Sequence, residues 1–303
     1  MEIKNWGYEE FPEFSEPVKG AVYLQTTGDE KGVRCKANIE YCTVDGHTLH
    51  MHLLYPFTRN QQEGVYPCIV FVQGSAWKKQ DPLSQVALIA RLAERGHVVA
   101  SVEYRHSKIA SFPAQALDTR NAVRFLRLHA KEYGIDPEKM IMMGTSSGGH
   151  AAMFAGIIHD DDKETNLFPG TSGEVKAIID LYGSVSVMLE DGNPSTLNHH
   201  LPDSPEGMEM GGVNLREHPE LCRKLSVECN IGPDTKLAPV LIVHGTKDRT
   251  VNAKESKILY ERLRECNKEA ELYFIRGGDH GGAEYWTDEI LDIEEAFIKK
   301  YCR

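Results

Sequence analysis

Positive charge is scarce in this chain of 303 residues, in which 34 lysines and arginines face 45 aspartates and glutamates. The formal net charge is −11, and the sequence shows no basic stretch that could form a positively charged face. Proteins that bind nucleic acids usually carry such a face, and an anionic surface repels the phosphate backbone. The charge balance therefore excludes nucleic acid as an expected partner.

Long apolar runs are missing as well, since none approaches the roughly 20 residues that cross a bilayer. The opening stretch MEIKNWGYEEFPEF has no basic segment followed by an apolar one, as a secretory signal would have. Cysteine is sparse and unpatterned: the seven cysteines are an odd number, and no C-x-x-C pair occurs. These absences predict reduced thiols and a cytoplasmic protein that does not enter the membrane.

Cofactor and metal motifs are also absent. The sequence has neither the G-x-G-x-x-G nor the G-x-x-x-x-G-K-[ST] pattern that would hold a dinucleotide or a phosphate. His50 and His52 share one face of a predicted strand, but no nearby cysteine or carboxylate completes a ligand set. We therefore expect no cofactor and no metal, and we expect the acidic run 160–162 to be a solvated helix end.

The chain does contain a regular alternation of short apolar runs and amphipathic stretches. Two alternating runs flank Asp45 and Gly46, which predicts a β-hairpin because Asp-Gly is a favoured hairpin turn. Strands that alternate with helices imply a mostly parallel sheet with helices on both faces. The predicted strands cover 37–44, 47–56, 67–72, 97–104, 139–144, 175–183, 239–245 and 270–278, and the predicted helices cover 84–96, 112–134, 252–266 and 283–300, with another beginning just after Ser146.

One segment interrupts this alternation. Residues 184–236 lie between two predicted core strands and are rich in proline, glycine, serine, asparagine and histidine. Such an insertion is usually a lid, a binding loop or a surface excursion. We therefore predict one α/β domain over residues 1–303, with 184–236 as an inserted cap or lid segment.

The stretch Gly144-Thr145-Ser146-Ser147-Gly148 matches the G-x-S-x-G pattern with Ser146 at its centre. An apolar run, KMIMM, ends at the first glycine, and a helical pattern starts directly after the motif. This strand–turn–helix setting is the one in which a serine nucleophile is held on a strained turn. Residues two positions before and after that serine come so close that a Cβ atom would clash, which favours Ser146 over Ser147.

A serine nucleophile needs a base, and the base needs a carboxylate to orient it. His280 lies in a glycine-rich loop directly after the last predicted strand, and Asp248 follows the strand before it. We predict these two residues as base and acid. Asp279 is adjacent to His280, but neighbouring side chains diverge, and Asp180 lies mid-strand, where a structural role is more common.

The oxyanion of the reaction needs two preset N–H donors. One is predicted to be the amide of Ser147, and the other the amide of Ser75 or Ala76 in the loop FVQGSAWKKQD. Gly74 would permit the turn of this loop and border the substrate. Trp77 would either line the substrate pocket or pack in the core, as aromatic residues often do.

Taken together, FVQGSAWKKQD, the segment 100–152, HGTKDRTV and GGDHGG resemble the esterase/lipase branch of the α/β-hydrolase superfamily, in particular the bifunctional acetylxylan and feruloyl esterases. The likeness runs from about residue 65 to the end. It implies the α/β-hydrolase fold: a mostly parallel central sheet with antiparallel N-terminal edge strands. The segment Gln73-Gly74-Ser75-Ala76 departs from the usual His-Gly-Gly-Gly, which leaves open which amide donates. Arg105 and Asp118 are expected to form a structural pair beside the site.

The residues and the resemblance lead to one hypothesis. We expect a serine carboxylic-ester hydrolase that works through an acyl-enzyme and removes acetyl or feruloyl groups from plant-wall (xylan-derived) oligosaccharides. A general short-chain carboxylesterase or an arylformamidase is the alternative. A non-catalytic ligand receptor on the same fold is an alternative of another class, although a receptor has no need of His280 and Asp248.

Overall fold

The computed structural model describes residues 3–59, 64–161, 163–189 and 193–302. Its strands are β1 Gly32–Val44, β2 His47–Phe57, β3 Tyr66–Val72, β4 Val98–Val102, β5 Ile135–Thr145, β6 Ala177–Leu181, β7 Val240–Gly245 and β8 Ala270–Ile275. Its α-helices are α1 Val86–Glu94, α2 Ala114–Leu128, α3 Ser147–Ile157, α4 Pro205–Glu209, α5 Pro219–Leu225, α6 Lys254–Glu265 and α7 Asp288–Tyr301. All eight predicted strands are present.

The strands form one sheet in the order β1-β2-β4-β3-β5-β6-β7-β8. β2 pairs antiparallel with both β1 and β4, and every other pair is parallel. The hairpin turn lies at Asp45 and Gly46, whose φ angles of 51° and 79° suit a tight two-residue turn. The predicted α/β-hydrolase fold class is confirmed.

Helices cover both faces of the sheet. α1 and α7 pack on one face, where Phe71, Ile89 and Leu291 belong to the same buried cluster. α2, α3 and α6 pack on the other face, where Ala122, Met153 and Leu259 join a second cluster. Because strands β3 to β8 are all parallel, the loops that follow them lie at the same end of the strands. Ligands bind at this carboxyl end in open α/β sheets.

The described parts of 184–236 are better packed than their composition suggests. They include α4 and α5, and they have a small apolar cluster of their own, made by Val187, Leu215, Cys222 and Leu225. Residues 190–192 of this segment lie outside the described residues. Its role as a cap or lid stays a prediction.

The acidic run 160–162 differs from expectation. Asp160 is only 1% exposed and accepts hydrogen bonds from Arg120 Nε at 2.8 Å and Arg124 Nη2 at 2.6 Å. The prediction of a solvated helix end was wrong for this residue, because two buried arginines of α2 require a carboxylate partner. Asp162 lies outside the described residues.

The expected pair of Arg105 and Asp118 is present. Arg105 Nη2 lies 2.9 Å from Asp118 Oδ1, and both side chains are buried. The pair joins the loop after β4 to α2, which makes it a structural support for the loops at the site edge.

Three further observations concern cysteines, metals and membranes. All seven cysteines lie in the described ranges and are unpaired. Over those ranges, no three histidine, cysteine or carboxylate side chains gather as metal ligands would. Among the described helices, none is both long and apolar enough to cross a bilayer.

Candidate active site

Ser146 lies on the turn between β5 and α3. Its φ of 51° is in the left-handed region, which is strained for a residue with a side chain. A Cβ on Gly144 would lie 2.2 Å from the carbonyl oxygen of Gly148, and a Cβ on Gly148 would lie 2.0 Å from that of Val72. Glycine is therefore required at both positions, and the turn presents the Ser146 side chain at the edge of the sheet.

The structure brings the three widely separated residues of the predicted triad together. Ser146 Oγ lies 2.9 Å from His280 Nε2, and His280 Nδ1 lies 2.7 Å from Asp248 Oδ2. Because a carboxylate only accepts hydrogen bonds, His280 Nδ1 carries the proton and donates it to Asp248. His280 Nε2 is then free to accept the proton of the Ser146 hydroxyl.

Asp248 is held by four donors. Its Oδ1 accepts the amides of Thr250 and Val251, each at 2.8 Å, and its Oδ2 accepts His280 and, at 3.1 Å, His244 Nε2. Burial alone would raise the pKa of Asp248, but the hydrogen bonds from His244 and His280 outweigh it and hold that pKa well below its usual range. The carboxylate therefore stays charged across the ordinary pH range.

The two other aspartates considered from the sequence have other partners. Asp279 Oδ2 accepts Arg249 Nε at 2.7 Å, so its side chain turns away from His280 Nδ1. Asp180 is completely buried on β6, and burial raises its pKa to about 7. Neither replaces Asp248 as the partner of the imidazole.

The loop after β3 narrows the choice of oxyanion donors. The amide of Ser75 donates to Ser147 Oγ at 2.9 Å, so this amide is already engaged. Over the described part of the chain, no acceptor faces the amides of Ala76 and Ser147. Of the two alternatives left open by the sequence, the geometry favours Ala76, which has a φ of 54°.

Gly74 and Trp77, the two residues of this loop that were predicted to border the substrate, differ in how they are packed. A Cβ on Gly74 would lie 2.5 Å from the carbonyl oxygen of Thr145, so this glycine permits close backbone approach. Trp77 is 1% exposed, and its ring meets that of His150 edge-on at 5.1 Å. The Trp77 ring is therefore packed in the interior, which is the second of the two alternatives that the sequence left open, and its contact with substrate stays a prediction.

Two residues of the site were missed by the sequence reasoning. Tyr104 Oη lies 2.9 Å from Ser75 Oγ and 3.3 Å from Ser147 Oγ, so it ties the loop to the start of α3. His244 binds Asp248. Its only sequence signal is a polar residue at the end of the apolar run VLIVHG, four positions before the aspartate.

A polar pocket of about 510 Å³ lies beside the loop after β3, between the β1–β2 turn and the loop after β4. Tyr104 forms part of its wall, and its polar lining also includes His47, His50, Lys79, Gln80, Glu103 and His106. β4 and β5 are separated in the sheet by β3 alone.

Comparisons with known proteins agree with this geometry. A family model described as BD-FAE matches residues 54–263. "Esterase LipC" of Mycobacterium tuberculosis is 27% identical over 218 residues, which are 71% of this chain and 53% of the relative. "Isoprenylcysteine alpha-carbonyl methylesterase ICME" of Arabidopsis thaliana is 24% identical over 255 residues, 78% of this chain and 58% of the relative. The chain thus spans little more than half the length of these curated relatives.

Solved structures share the fold. "Truncated form of carbohydrate esterase from gut microbiota" superimposes with a TM-score of 0.74 at 24% identity, over 89% of this chain and 96% of that one. "Bifunctional GH43-CE Bacteroides eggerthii" gives a TM-score of 0.73 at 26% identity, over 89% of this chain and 35% of that one.

Proposed function

Because this chain belongs to the BD-FAE family, we propose that it hydrolyses carboxylic esters with Ser146 as nucleophile, His280 as general base and Asp248 as the acid that orients it. One observation carries the proposal. A serine on a strained strand-to-helix turn, with Oγ 2.9 Å from an imidazole nitrogen, faces a base whose other nitrogen is 2.7 Å from a buried carboxylate. A ligand receptor has no use for this alignment.

The proposed reaction uses groups of the chain at each step. Ser146 Oγ attacks the ester carbonyl carbon while its proton passes to His280 Nε2. The oxyanion is held by the amides of Ser147 and Ala76. The tetrahedral intermediate collapses, the alcohol leaves with the proton from His280, and the acyl group stays on Ser146. Water, deprotonated by His280, then attacks the acyl-enzyme and releases the acid.

For the substrate, we propose acetyl or feruloyl esters of xylan-derived oligosaccharides. Two observations support this choice: the likeness to the solved structure "Bifunctional GH43-CE Bacteroides eggerthii", and the polar pocket beside the loop after β3. Its imidazole, amide, ammonium and carboxylate groups are suited to the hydroxyl groups of a sugar that extends from the ester.

The first prediction concerns the two adjacent serines. Ser146→Ala is expected to abolish hydrolysis of a short-chain aryl acetate, with an unchanged circular dichroism spectrum. Ser147→Ala, the matched control, is expected to keep turnover and lose only part of the rate, because its hydroxyl positions the Ser75 amide. Full activity in Ser146→Ala would end the proposal, and activity lost only in Ser147→Ala would move the nucleophile by one residue.

The substrate is tested with the same enzyme on a panel of acetylated and feruloylated xylo-oligosaccharides, simple aryl esters and an N-formyl arylamine. The highest kcat/KM is expected for one of the oligosaccharide esters. Equal or higher values for simple aryl esters would indicate a general short-chain carboxylesterase, and preference for the formamide would indicate an arylformamidase.

A further inference from the structure

His244 is a completely buried histidine at the end of β7, and the reaction described above gives it no role. Its Nε2 lies 3.1 Å from Asp248 Oδ2 and 3.2 Å from the carbonyl oxygen of Val251. Both of these oxygens only accept hydrogen bonds, so the proton of the ring is on Nε2. His244 Nδ1, 2.6 Å from Ser256 Oγ, then accepts the hydroxyl proton of that serine.

This tautomer makes His244 a fixed donor. Ser256, in α6, is completely buried and orients the ring through Nδ1. As a result, Asp248 Oδ2 receives N–H groups from two imidazoles on opposite sides, one from the base and one from β7. The base itself is on a glycine-rich loop, whereas His244 is on β7, a strand that is paired on both sides. The strand-borne donor is therefore the more rigid of the two.

We propose that His244 is a positioning residue: it fixes the orientation of the Asp248 carboxylate and keeps it ionised when His280 moves a proton. The inference rests on the proposed function of Ser146, His280 and Asp248. It adds a fourth member to that constellation, one that touches neither substrate nor the reacting atoms.

The hydrogen bond from His244 affects the charge state of Asp248. Burial disfavours the carboxylate, and among the groups that oppose burial the hydrogen bond from His244 comes first, ahead of the one from His280. Without His244, a buried carboxylate would depend on the base for its last side-chain donor. It would then take up a proton at a higher pH than in the wild-type protein.

The other titratable groups around Asp248 are already committed. Burial raises the pKa of Tyr182 to about 12 and that of Tyr285 further, so both phenols are neutral. The Arg249 side chain lowers the pKa of Asp279 to about 2, and the two form an exposed ion pair. The two phenols therefore stay neutral between pH 5 and pH 9, and the Arg249–Asp279 ion pair stays charged.

His199 reaches the same region from the insertion, with Nε2 2.9 Å from the carbonyl oxygen of Thr250. Burial opposes its charge, but the hydrogen bond to Glu206 outweighs burial and raises its pKa to about 9. Glu206 and Glu255 are the buried carboxylates that face it. His199 is therefore a cation over most of the range in which the site would be assayed.

The test compares two amide substitutions of similar polarity but different reach. In His244→Gln the amide nitrogen can occupy the place of Nε2 and donate to Asp248, whereas in His244→Asn it is too short. Each protein is titrated with a fluorophosphonate to count active sites, and kcat and KM for an aryl acetate are measured from pH 5 to pH 9. We expect His244→Asn to lose kcat about tenfold or more with KM within about twofold. His244→Gln should keep kcat within about threefold of wild type.

His97→Gln is the matched control. His97 is also buried, its Nε2 lies 2.7 Å from Glu295 Oε2, and it directly precedes β4, at the end of the parallel strands opposite the site. It is expected to keep the wild-type kcat per titrated site and the wild-type pH profile. Equal losses of kcat in the Gln and Asn variants, or an unchanged kcat in His244→Asn, would overturn the positioning role.

If His244→Asn does not fold, Ser256→Ala takes its place. Loss of the hydroxyl that holds His244 Nδ1 should lower kcat while KM stays within about twofold of the wild-type value, and an unchanged kcat would overturn the proposal. A wild-type enzyme whose turnover does not depend on Ser146 would instead refute the proposed function, so the two failures are distinguishable.

Discussion

At the scale of single residues, Asp180 shows how the site is supported from beneath. The carboxyl group packs so tightly against the first turn of α3 and the loop after β6 that a Cβ on Gly149 or on Gly183 would lie 2.1 Å from its Oδ1. Burial in this position raises the pKa of Asp180 to about 7. A carboxyl group with an elevated pKa in the folded state makes folding stability depend on pH.

The sign of this dependence follows from the two states. In the unfolded chain an aspartate ionises near pH 3.9, so between about pH 4 and pH 7 the folded state binds more protons than the unfolded state. Stability from Asp180 is therefore complete below about pH 4 and declines as the pH rises through 7. Stability declines because, at higher pH, the folded state must hold the Asp180 carboxylate as a buried charge.

Asp180→Asn should remove this dependence. Relative to wild type, the variant is expected to gain about 2 to 3 kcal/mol in unfolding free energy when the pH is raised from 5 to 8. Urea unfolding at the two pH values measures the gain, and Asp203→Asn, at an exposed position, controls for loss of a carboxylate. A difference between Asp180→Asn and wild type that is the same at both pH values would contradict the assignment.

The residues of the site divide by how local their signals are. Ser146, Asp248 and His280 could be predicted because each lies in a short loop or turn directly after a strand, in the chain order of the superfamily. His244 could not, since an apolar strand pattern gives no sign of which side chain turns toward Asp248 or of the hydroxyl on α6 that fixes its tautomer.

Asp160 was misjudged, and Trp77 was left undecided, for a related reason. A run of aspartates looks solvated until two arginines from another helix are placed against it. The sequence around a tryptophan in a site loop is the same whether its ring faces a pocket or the core. Such contacts join residues far apart in the sequence, and only the fold decides them.

At the scale of elements, the close contact of α3 with β3 determines the direction of the Ser146 turn. The backbone of Gly148, in the first turn of α3, approaches the carbonyl group of Val72 so closely that no side chain fits between them. The helix can therefore begin only where glycine lets it touch the strand. The position of Ser146 relative to the loop after β3 follows from this contact.

Gly148→Ala is expected to be costly, because its Cβ would lie 2.0 Å from the Val72 oxygen and the helix would have to move. We expect a loss of about 1–3 kcal/mol in unfolding free energy, typical of overpacking, and a loss of activity larger than the unfolded fraction explains. Gly232→Ala is the matched control, since the nearest atom to its Cβ would be 3.8 Å away. Urea unfolding and ester hydrolysis measure both. Equal behaviour of the two variants would show that the turn tolerates a displaced helix.

Element types were easier to predict than element ends. The long helix predicted over 112–134 stops at Leu128, and the one predicted over 283–300 divides into a 3₁₀ turn, Ala283–Trp286, and α7. The 3₁₀ turn and α7 are separated by Thr287, whose side chain accepts a hydrogen bond from the amide of Ile290 and caps α7. A capping threonine inside an amphipathic pattern is easily read as one more polar residue of a single helix.

At the scale of the whole molecule, the site is a property of the complete sheet. The nucleophile follows β5, the carboxylate follows β7 and the base follows β8, so the three side chains come from three strands and from distant parts of the sequence. The strand order places β6 between the first two of these strands. No fragment that lacks one of these strands contains the full set.

Of the three strands that carry the residues of the site, the one that supplies the base is the least buried. β8 lies at the edge of the sheet and pairs only with β7, and its residues are half-exposed, with Tyr273 38% and Phe274 45% exposed. Local opening is cheapest where few apolar contacts are lost. Detachment of β8 would withdraw His280 while the Ser146 turn, in the centre of the sheet, stays intact.

Catalysis and global structure should therefore fail separately. We expect ester hydrolysis to decline at a lower urea concentration than the far-ultraviolet circular dichroism signal, with fluorophosphonate labelling of Ser146 falling together with hydrolysis. Coincident transitions would mean that β8 unfolds only with the rest of the chain. If the transitions are separate, mild denaturation detaches one edge strand and stops ester hydrolysis while most of the fold stays intact. Activity then returns when β8 pairs with β7 again.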